Sequence, residues 1–283
     1  MTETPYSRSD PDIYFEESFS PGDIRPHYHN MQQILFIREG TVKICVNQKE
    51  YTGKPGSILF FSNLESHSVT ILKYPYKRYV LSFPVDFSFL PMRESRFYGI
   101  LLQRPENFSH MIRLKGPEEK TVAVLFGEML CECRDKNPGW QLITACQISR
   151  LLVELYRFSP SSFPDNPVSG TARIVLDIQK EITEGFEGEL SLEGFAQKHF
   201  ISKYHLSREF RRITGYNFRE YLILQRISSA KDLLAHTDLP VAEVCLRCGY
   251  PNVNHFIRIF KNAAGITPLQ YKKEHSQNRP CLQ

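Results

Sequence analysis

The chain has 283 residues, 41% of them hydrophobic, with 35 Lys+Arg against 31 Asp+Glu and a net charge of +4. That balance supports a packed chain and excludes a charged, disordered polymer. No run approaches the ~20 apolar residues of a membrane span, and seven cysteines, an odd number in a chain of this length, argue against a disulfide scaffold.

The N-terminus, MTETPYSRSDPD, is polar and lacks the apolar core of a signal peptide, so a cytoplasmic protein is expected. Residues 13–82 then alternate short apolar runs with turn signals. The spacing predicts strands at Arg25–His29, Gln33–Arg38, Thr41–Val46, Ser57–Phe61, Val69–Leu72 and Arg78–Ser82. Glu39-Gly40, Asn47-Gln48 and Pro55-Gly56 punctuate them. Such short, closely spaced strands suggest a small antiparallel barrel or jelly roll.

His27 and His29 lie two apart on one predicted strand, which points both side chains to one face. With Gln33 and His67 they make the candidate ligand-binding set, since barrel mouths are usual binding sites. Arg25 and Arg38 are candidates to meet an anionic effector. Three imidazoles could ligate a transition metal, with Gln33 as a weak fourth ligand. The set lacks a carboxylate, so polar pocket lining is the preferred reading, and no metal or cofactor is expected. Two helices are predicted next, at Glu118–Arg134 and Trp140–Phe158. Leu142, Ala145, Ile148, Leu152 and Leu155 form the apolar stripe of the second, and the pair is expected to make a homodimer.

Ser159–Gly170 reads SPSSFPDNPVSG, a Pro/Ser-rich linker. It divides the chain into a sensing and dimerisation domain (1–158), the linker (159–170), a helical domain (171–275) and a tail (276–283).

The helical domain repeats itself after 50 residues. Ser202–Tyr221 reads SKYHLSREFRRITGYNFREY, and Asn252–Tyr271 reads NVNHFIRIFKNAAGITPLQY. His205 matches His255, Arg208 matches Arg258, Phe210 matches Phe260, Gly215 matches Gly265, and Tyr221 matches Tyr271. Such self-similarity indicates an internal duplication. Each copy opens on an N-cap residue, Ser202 or Asn252, and continues with apolar residues at i, i+4 and i+7. Gly215 and Gly265 sit where a left-handed cap belongs. Each copy then begins another helix with a reciprocal cap pair, Asn217 with Glu220 and Thr267 with Gln270.

A short helix precedes each copy, Leu192–His199 and Val241–Cys248, with a small residue, Ala196 or Cys245, facing inward. This is the pattern of a helix-turn-helix, whose second helix enters a DNA major groove. The exposed face of the first copy carries Lys203, Tyr204, Ser207, Arg208 and Arg211. That of the second carries Asn254, Arg258 and Lys261, with Val253 and Ile257 beside them. Arg and Asn can bond bases in a bidentate way, and apolar groups can touch the thymine methyl. Between Lys198 and Lys273 the chain holds 13 Lys+Arg and 5 Asp+Glu, a net of +8, whereas residues 1–170 hold 19 of each. The basic surplus therefore lies around the repeat, as phosphate binding requires. Cys245 and Cys248 form half a metal motif with no second pair, so they are expected to be small buried residues.

The segments SKYHLSREFRRITG, YLILQRISSAKDLL and GYPNVNHFIRIFKNAAGITPLQY resemble the AraC/XylS family of bacterial transcription regulators, over about residues 171–275. The resemblance implies two helix-turn-helix units on one rigid connecting helix, about Phe218–Ala235 here. It implies base-facing roles for Tyr204, Ser207 and Arg208, and for Val253, Asn254, His255, Ile257 and Arg258. Ile257 stands where the family often has Ser or Thr. The N-terminal half resembles the cupin sensor domain that many members place first. The residues behind that likeness are His27-Tyr28-His29, Gln33, Arg38-Glu39-Gly40, Pro55-Gly56 and His67. Metal-binding cupins carry Glu where this chain has Gln33.

The expected architecture is a multi-domain α+β protein, with a cupin-like antiparallel β-barrel followed by an all-α double helix-turn-helix domain. The expected function is sequence-specific, effector-controlled transcription regulation. Its partners would be double-stranded DNA, a small molecule, a second copy of the chain and RNA polymerase. The sequence has no Gly-rich phosphate loop, nucleophile elbow or HExxH, so no catalytic residue is named and no enzyme is expected. The alternatives are a metal-dependent cupin enzyme fused to a DNA-binding module and a DNA-binding protein with no effector. Stoichiometric iron, manganese or nickel in the purified protein marks the first. Absence of any ligand-induced change in melting temperature marks the second.

Overall fold

The computed structural model describes residues 10–19, 23–46, 49–84, 87, 97–103, 108–164 and 170–276. The Asn47-Gln48 turn, linker residues 165–169, the tail beyond residue 276 and the side chain of Arg25 lie outside the described residues. The chain forms two compact units, one of Arg8–Leu176 and the other mainly of Asp177 onward, apart from Arg212–Gly215, which group with the first.

The first unit opens with β1 (Asp12–Ser18), β2 (Asp23–His27), β3 (Gln32–Val46), β4 (Lys49–Gly53), β5 (Ser57–Phe61) and β6 (His67–Phe83). A short α1 (Gly99–Leu102), β7 (Met111–Arg113), α2 (Pro117–Asp135) and α3 (Trp140–Phe158) follow. All strand pairs are antiparallel, in the order β1-β6-β3-β5-β7, with β2 added to β6 and β4 to β3.

The sequence suggests two strands across 33–46 and two across 69–82, but each pair is one long strand. Gly40 explains the first merger. It adopts φ +87°, and a Cβ there would lie 2.6 Å from the Lys73 carbonyl. The Glu39-Gly40 signal is therefore a bulge that bends β3, with register shifts between Ile37 and Val42, and not a chain reversal. β1, β4 and β7 carry weak patterns because they are short or polar edge elements.

Inside the sheet, Leu35, Ile37, Val42, Ile44, Leu59, Phe61, Val69 and Val80 form one apolar core. The outer face of the early β3 segment is buried too. Phe36 and Tyr79 meet Phe126 of α2, with ring centroids 5.3 and 5.5 Å apart. Burial on both faces replaces alternation with a continuous apolar run from Ile34 to Ile37. On α3, Ala145, Ile148, Leu152 and Leu155 are buried as the stripe predicts, but Leu142 is 54% exposed.

The second unit contains most of α4 (Gly170–Gly185), which the sequence reading leaves unassigned. It continues with α5 (Leu192–Lys198), α6 (Lys203–Thr214), α7 (Phe218–His236), α8 (Val241–Arg247), α9 (Val253–Ala264) and α10 (Pro268–Ser276). The duplication is visible in detail. α5 and α8 have 7 residues each, and α6 and α9 have 12 each. Phe210 meets Tyr221 edge-on at 5.3 Å, and Phe260 meets Tyr271 at 5.6 Å. α7 serves both copies: Tyr221 lies on the first, while Ile227, Ala230 and Leu234 enter a cluster with Val244, Phe256 and Phe260 of the second. Cys245 and Cys248 are fully buried in that cluster, and burial pushes the Cys248 thiol up to about 12.

The turns between paired helices are also equivalent. Ile201 N–H donates to the Ala196 carbonyl and Tyr250 N–H to the Cys245 carbonyl, at 3.0 and 3.1 Å. Each turn needs a left-handed residue. The second uses Gly249 (φ +73°), and the first uses Phe200 (φ +54°). A Cβ on Gly249 would meet the Glu187 carbonyl at 2.6 Å and the Arg226 Nη2 at 2.9 Å. Gly249→Ala is therefore expected to destabilise the chain by more than about 1 kcal/mol. Phe200 is 95% exposed and gains little from burial. Relief of its left-handed strain, ~1–2 kcal/mol, outweighs the ~0.5–1 kcal/mol entropic cost of glycine. Phe200→Gly is expected to raise the denaturation midpoint, and equilibrium unfolding of both variants checks the pair.

Candidate nucleic-acid interface and barrel pocket

Both second helices begin on side-chain caps. Ser202 Oγ accepts the His205 N–H at 3.2 Å, and Asn252 Oδ1 accepts the His255 N–H at 3.0 Å. These caps fix where each helix starts and so which residues share a face. Leu206, Phe210 and Ile213 are buried on α6, as are Phe256 and Phe260 on α9. The opposite face carries Tyr204, Ser207, Arg208 and Arg211, all exposed, with Tyr204 at 89%. On α9 that face carries Asn254, Arg258 and Lys261, also exposed, with Ile257 half-buried at its edge. Val253 and His255 are exposed on the first turn of α9.

Lys203 is paired with Glu193 of α5 at 2.9 Å, and that carboxylate raises the Lys203 pKa. An arriving phosphate would compete with this exposed pair, which costs little to break. One contact occurs in both copies: Arg208 Nη2 lies 3.2 Å from His205 Nδ1, and Arg258 Nη2 lies 3.3 Å from His255 Nδ1. The sequence reading pairs His205 with His255 in the repeat but gives a base-facing role only to His255.

The barrel holds a cavity of about 170 Å³, lined in part by His27, His29, Gln33 and His67. Two corrections apply to the expected set. β2 ends at His27, so His29 is not on the strand. The two rings nevertheless meet, their centroids 4.8 Å apart, and each also meets His67. Arg38 does not line the cavity. It pairs with Glu119 of α2 at 2.8 Å and stacks its guanidinium on Phe36.

His67 is the best-defined group. It stacks on Phe61 at 4.0 Å, and its Nδ1–H donates to the Glu65 carbonyl at 3.0 Å. That bond selects the tautomer whose Nε2 carries the lone pair. Burial, followed by the charge of His27, pushes its pKa down to about 3. Gln33 Nε2 donates to Ser82 Oγ at 3.2 Å.

Sequence reasoning missed Tyr14, Glu16, Tyr76 and Arg78, which complete the polar side of the lining. Arg78 is nearly buried, bonds Glu16 and Ser18, and lies over the Tyr76 ring. Tyr76 Oη is buried and has no hydrogen-bond partner among the described residues. A charged residue at a strand position in phase with Tyr76 and Val80 is the signal that could have found them.

Candidate metal-ligating atoms of His27, His29 and His67 all lie within 4.8 Å of one another. Three imidazoles, once deprotonated, are a set that zinc accepts with an open fourth position, while Gln33 supplies no charge to a harder ion.

Because the folded-state pKa of His67 lies below its ordinary value of 6.5, the fold favours neutral imidazole. Its contribution to stability is complete above pH 6.5 and is lost as pH falls towards about 3. In metal-free protein, His67→Gln is expected to flatten the fall in stability across that window, as read by denaturant melts at stepped pH.

Two helix pairs on one shared rod, with a basic outward face, have the form of a DNA-binding helix-turn-helix pair, and the N-terminal barrel holds a small cavity. Residues 195–274 match a helix-turn-helix domain family, and residues 15–72 match a cupin domain family. The chain is 34% identical over 128 residues to the transcriptional activator RhaR of Enterobacter sp. (strain 638), covering 44% of each chain. It is 21% identical over 252 residues to RhaR of Salmonella dublin, covering 89% of this chain and 88% of that one. It thus spans less than half of the first relative and most of the second. Among solved structures, ToxT from Vibrio cholerae strain SCE256, bound to an unsaturated fatty acid, superposes with a TM-score of 0.61. That match is 13% identical and covers 95% of this chain and 96% of ToxT, a likeness of fold. The chain is thus similar, in both of its domains and along most of its length, to DNA-binding transcription regulators of the AraC/XylS type.

Proposed function

We propose that the chain reads DNA with α6 and α9 and that a compact polar effector in the barrel controls it. The carrying observation is the duplicated arginine, exposed at the same helical position in both copies. At 1.5 Å per residue α7 is roughly 28 Å long, near the ~34 Å turn of DNA once helix widths are added. The two reading helices then suit successive major grooves. Tyr204, Ser207, Asn254, Ile257 and the arginines face bases, and Lys203, Arg211 and Lys261 set the register on phosphates. Arg208→Ala or Arg258→Ala is expected to lose about 1–3 kcal/mol at the specific site and relax base choice at one position. Arg211→Ala is expected to weaken binding evenly across sequences and lower the salt slope by about 1. Fluorescence anisotropy titrations against specific and scrambled duplexes decide between these outcomes.

The effector reading rests on the cavity. The neighbour ToxT holds a fatty acid, which supports an organic ligand for this fold. At about 170 Å³ this cavity is smaller than the ~300–1,000 Å³ of drug-sized sites, and imidazoles line it, so a small polar molecule suits it better. Such a ligand changes DNA binding only if it favours one arrangement of the chain over another. A metabolite panel should contain at least one compound that raises the melting temperature and also shifts DNA affinity. A stabilising compound that leaves DNA affinity untouched removes the control from this reading.

The chain is taken as a cytoplasmic homodimer with no catalytic role, and with RNA polymerase as a further partner. Val124, Leu142 and Ile143 support the dimer, being 59%, 54% and 43% exposed on α2 and α3. Sedimentation of the full chain should give a dimer that Leu142→Glu dissociates; an unchanged dimer places the interface elsewhere.

A further inference from the structure

We infer that His205 and His255 are positioning residues that hold the base-reading arginines and thereby set sequence specificity. The inference rests on the proposed roles of Arg208 and Arg258. Its evidence is a contact present twice, at 3.2 Å in α6 and 3.3 Å in α9. The two helices share little else on their outward faces: Tyr204 and Ser207 on one correspond to Asn254 and Ile257 on the other. The His-x-x-Arg pair is retained where its neighbours differ.

The chemistry gives the contact one direction. A guanidinium has only donors, so each imidazole accepts at Nδ1, and a neutral ring carries its proton on Nε2. Residues three apart are neighbours on a helix. The histidine's own backbone N–H is fixed by the cap, Ser202 in one copy and Asn252 in the other. Cap, imidazole and guanidinium thus form a short chain of constraints running from the helix start to the reading atom. An exposed arginine otherwise loses much rotamer freedom when it docks on a base. Holding it beforehand reduces that loss and favours one direction of the N–H fork. The contact uses one N–H of the fork, and the others remain for the two acceptors of guanine. The histidines act through the arginines and carry no base contact in this role.

The test uses the full chain and a random-sequence duplex pool, from which each variant selects its preferred sites. His205→Leu and His255→Leu are expected to flatten preference at the one position read by the partner arginine. The specific to non-specific affinity ratio should fall roughly fivefold or more, with the salt slope unchanged because no cation is lost. His205→Asn and His255→Asn, whose Oδ1 falls near the position of Nδ1, should restore the ratio. The idea is overturned if Leu and Asn variants behave alike, if the Leu variants keep the wild-type preference, or if the salt slope falls, since the last marks a direct phosphate contact. Arg208→Ala and Arg258→Ala, selected in parallel, separate the two readings. If they too keep full base preference, the arginines do not read bases. If they lose it while the Leu variants do not, only the positioning role is rejected.

Discussion

The DNA-binding unit depends on α7 burying different faces along its length. Near its start, Tyr221 packs on Phe210 and receives a hydrogen bond from Gln179 at 3.0 Å. Further on, Ile227, Ala230 and Leu234 close over Val244, Phe256 and Phe260. Neither helix-turn-helix could bury its own aromatic stripe alone, because each has only two short helices. The shared helix supplies the missing wall to both. Arg226 adds a polar clamp, donating to the Phe186 and Gly188 carbonyls at 2.7 and 3.0 Å. Two exposed-faced helices, α6 and α9, fastened to one rod cannot vary their spacing without breaking a fully buried cluster, and close-packed cores resist that.

The barrel is governed by a different balance. Its sheet is held by two-sided apolar burial, and that stability tolerates a cluster of poorly solvated polar groups. Three imidazoles, a nearly buried guanidinium and a phenol with no hydrogen-bond partner among the described residues share one small space. Burial and mutual repulsion keep His67 neutral, so the pocket presents lone pairs and not positive charge from that residue. A buried hydroxyl such as that of Tyr76 is expensive to leave without a partner, and that cost favours a guest able to bond it.

The helical half was legible because a duplication provides its own control. Caps, apolar spacing and the terminal glycines recur at matched positions, and each has a local physical meaning. α4 escaped because it has no copy and no strong cap signal. The barrel was less legible because bulges and two-sided burial erase alternation: Gly40 reads as a turn in sequence and acts as a bend in one strand. Spacing brings His27 and His29 together for a partly mistaken reason, since His29 lies past the end of β2, and the cupin resemblance adds His67. Arg38 was misplaced because an exposed arginine near a pocket in sequence can swing to a helix that the sequence does not locate. Arg78 and Tyr76 were passed over because a charge inside a sheet is recognisable only once the inward phase of β6 is known.

The trio is also mechanically uneven. His27 and His67 face each other across the β2–β6 ladder as cross-strand partners, just past an irregularity between Ile24 and His27. His29 stands on irregular chain, tied through its carbonyl to the Leu64 N–H at 2.7 Å. Strands cannot slide by one residue without turning every side chain over. Any guest of the cavity would therefore meet two imidazoles set by sheet pairing and a third set by the loop that follows β2.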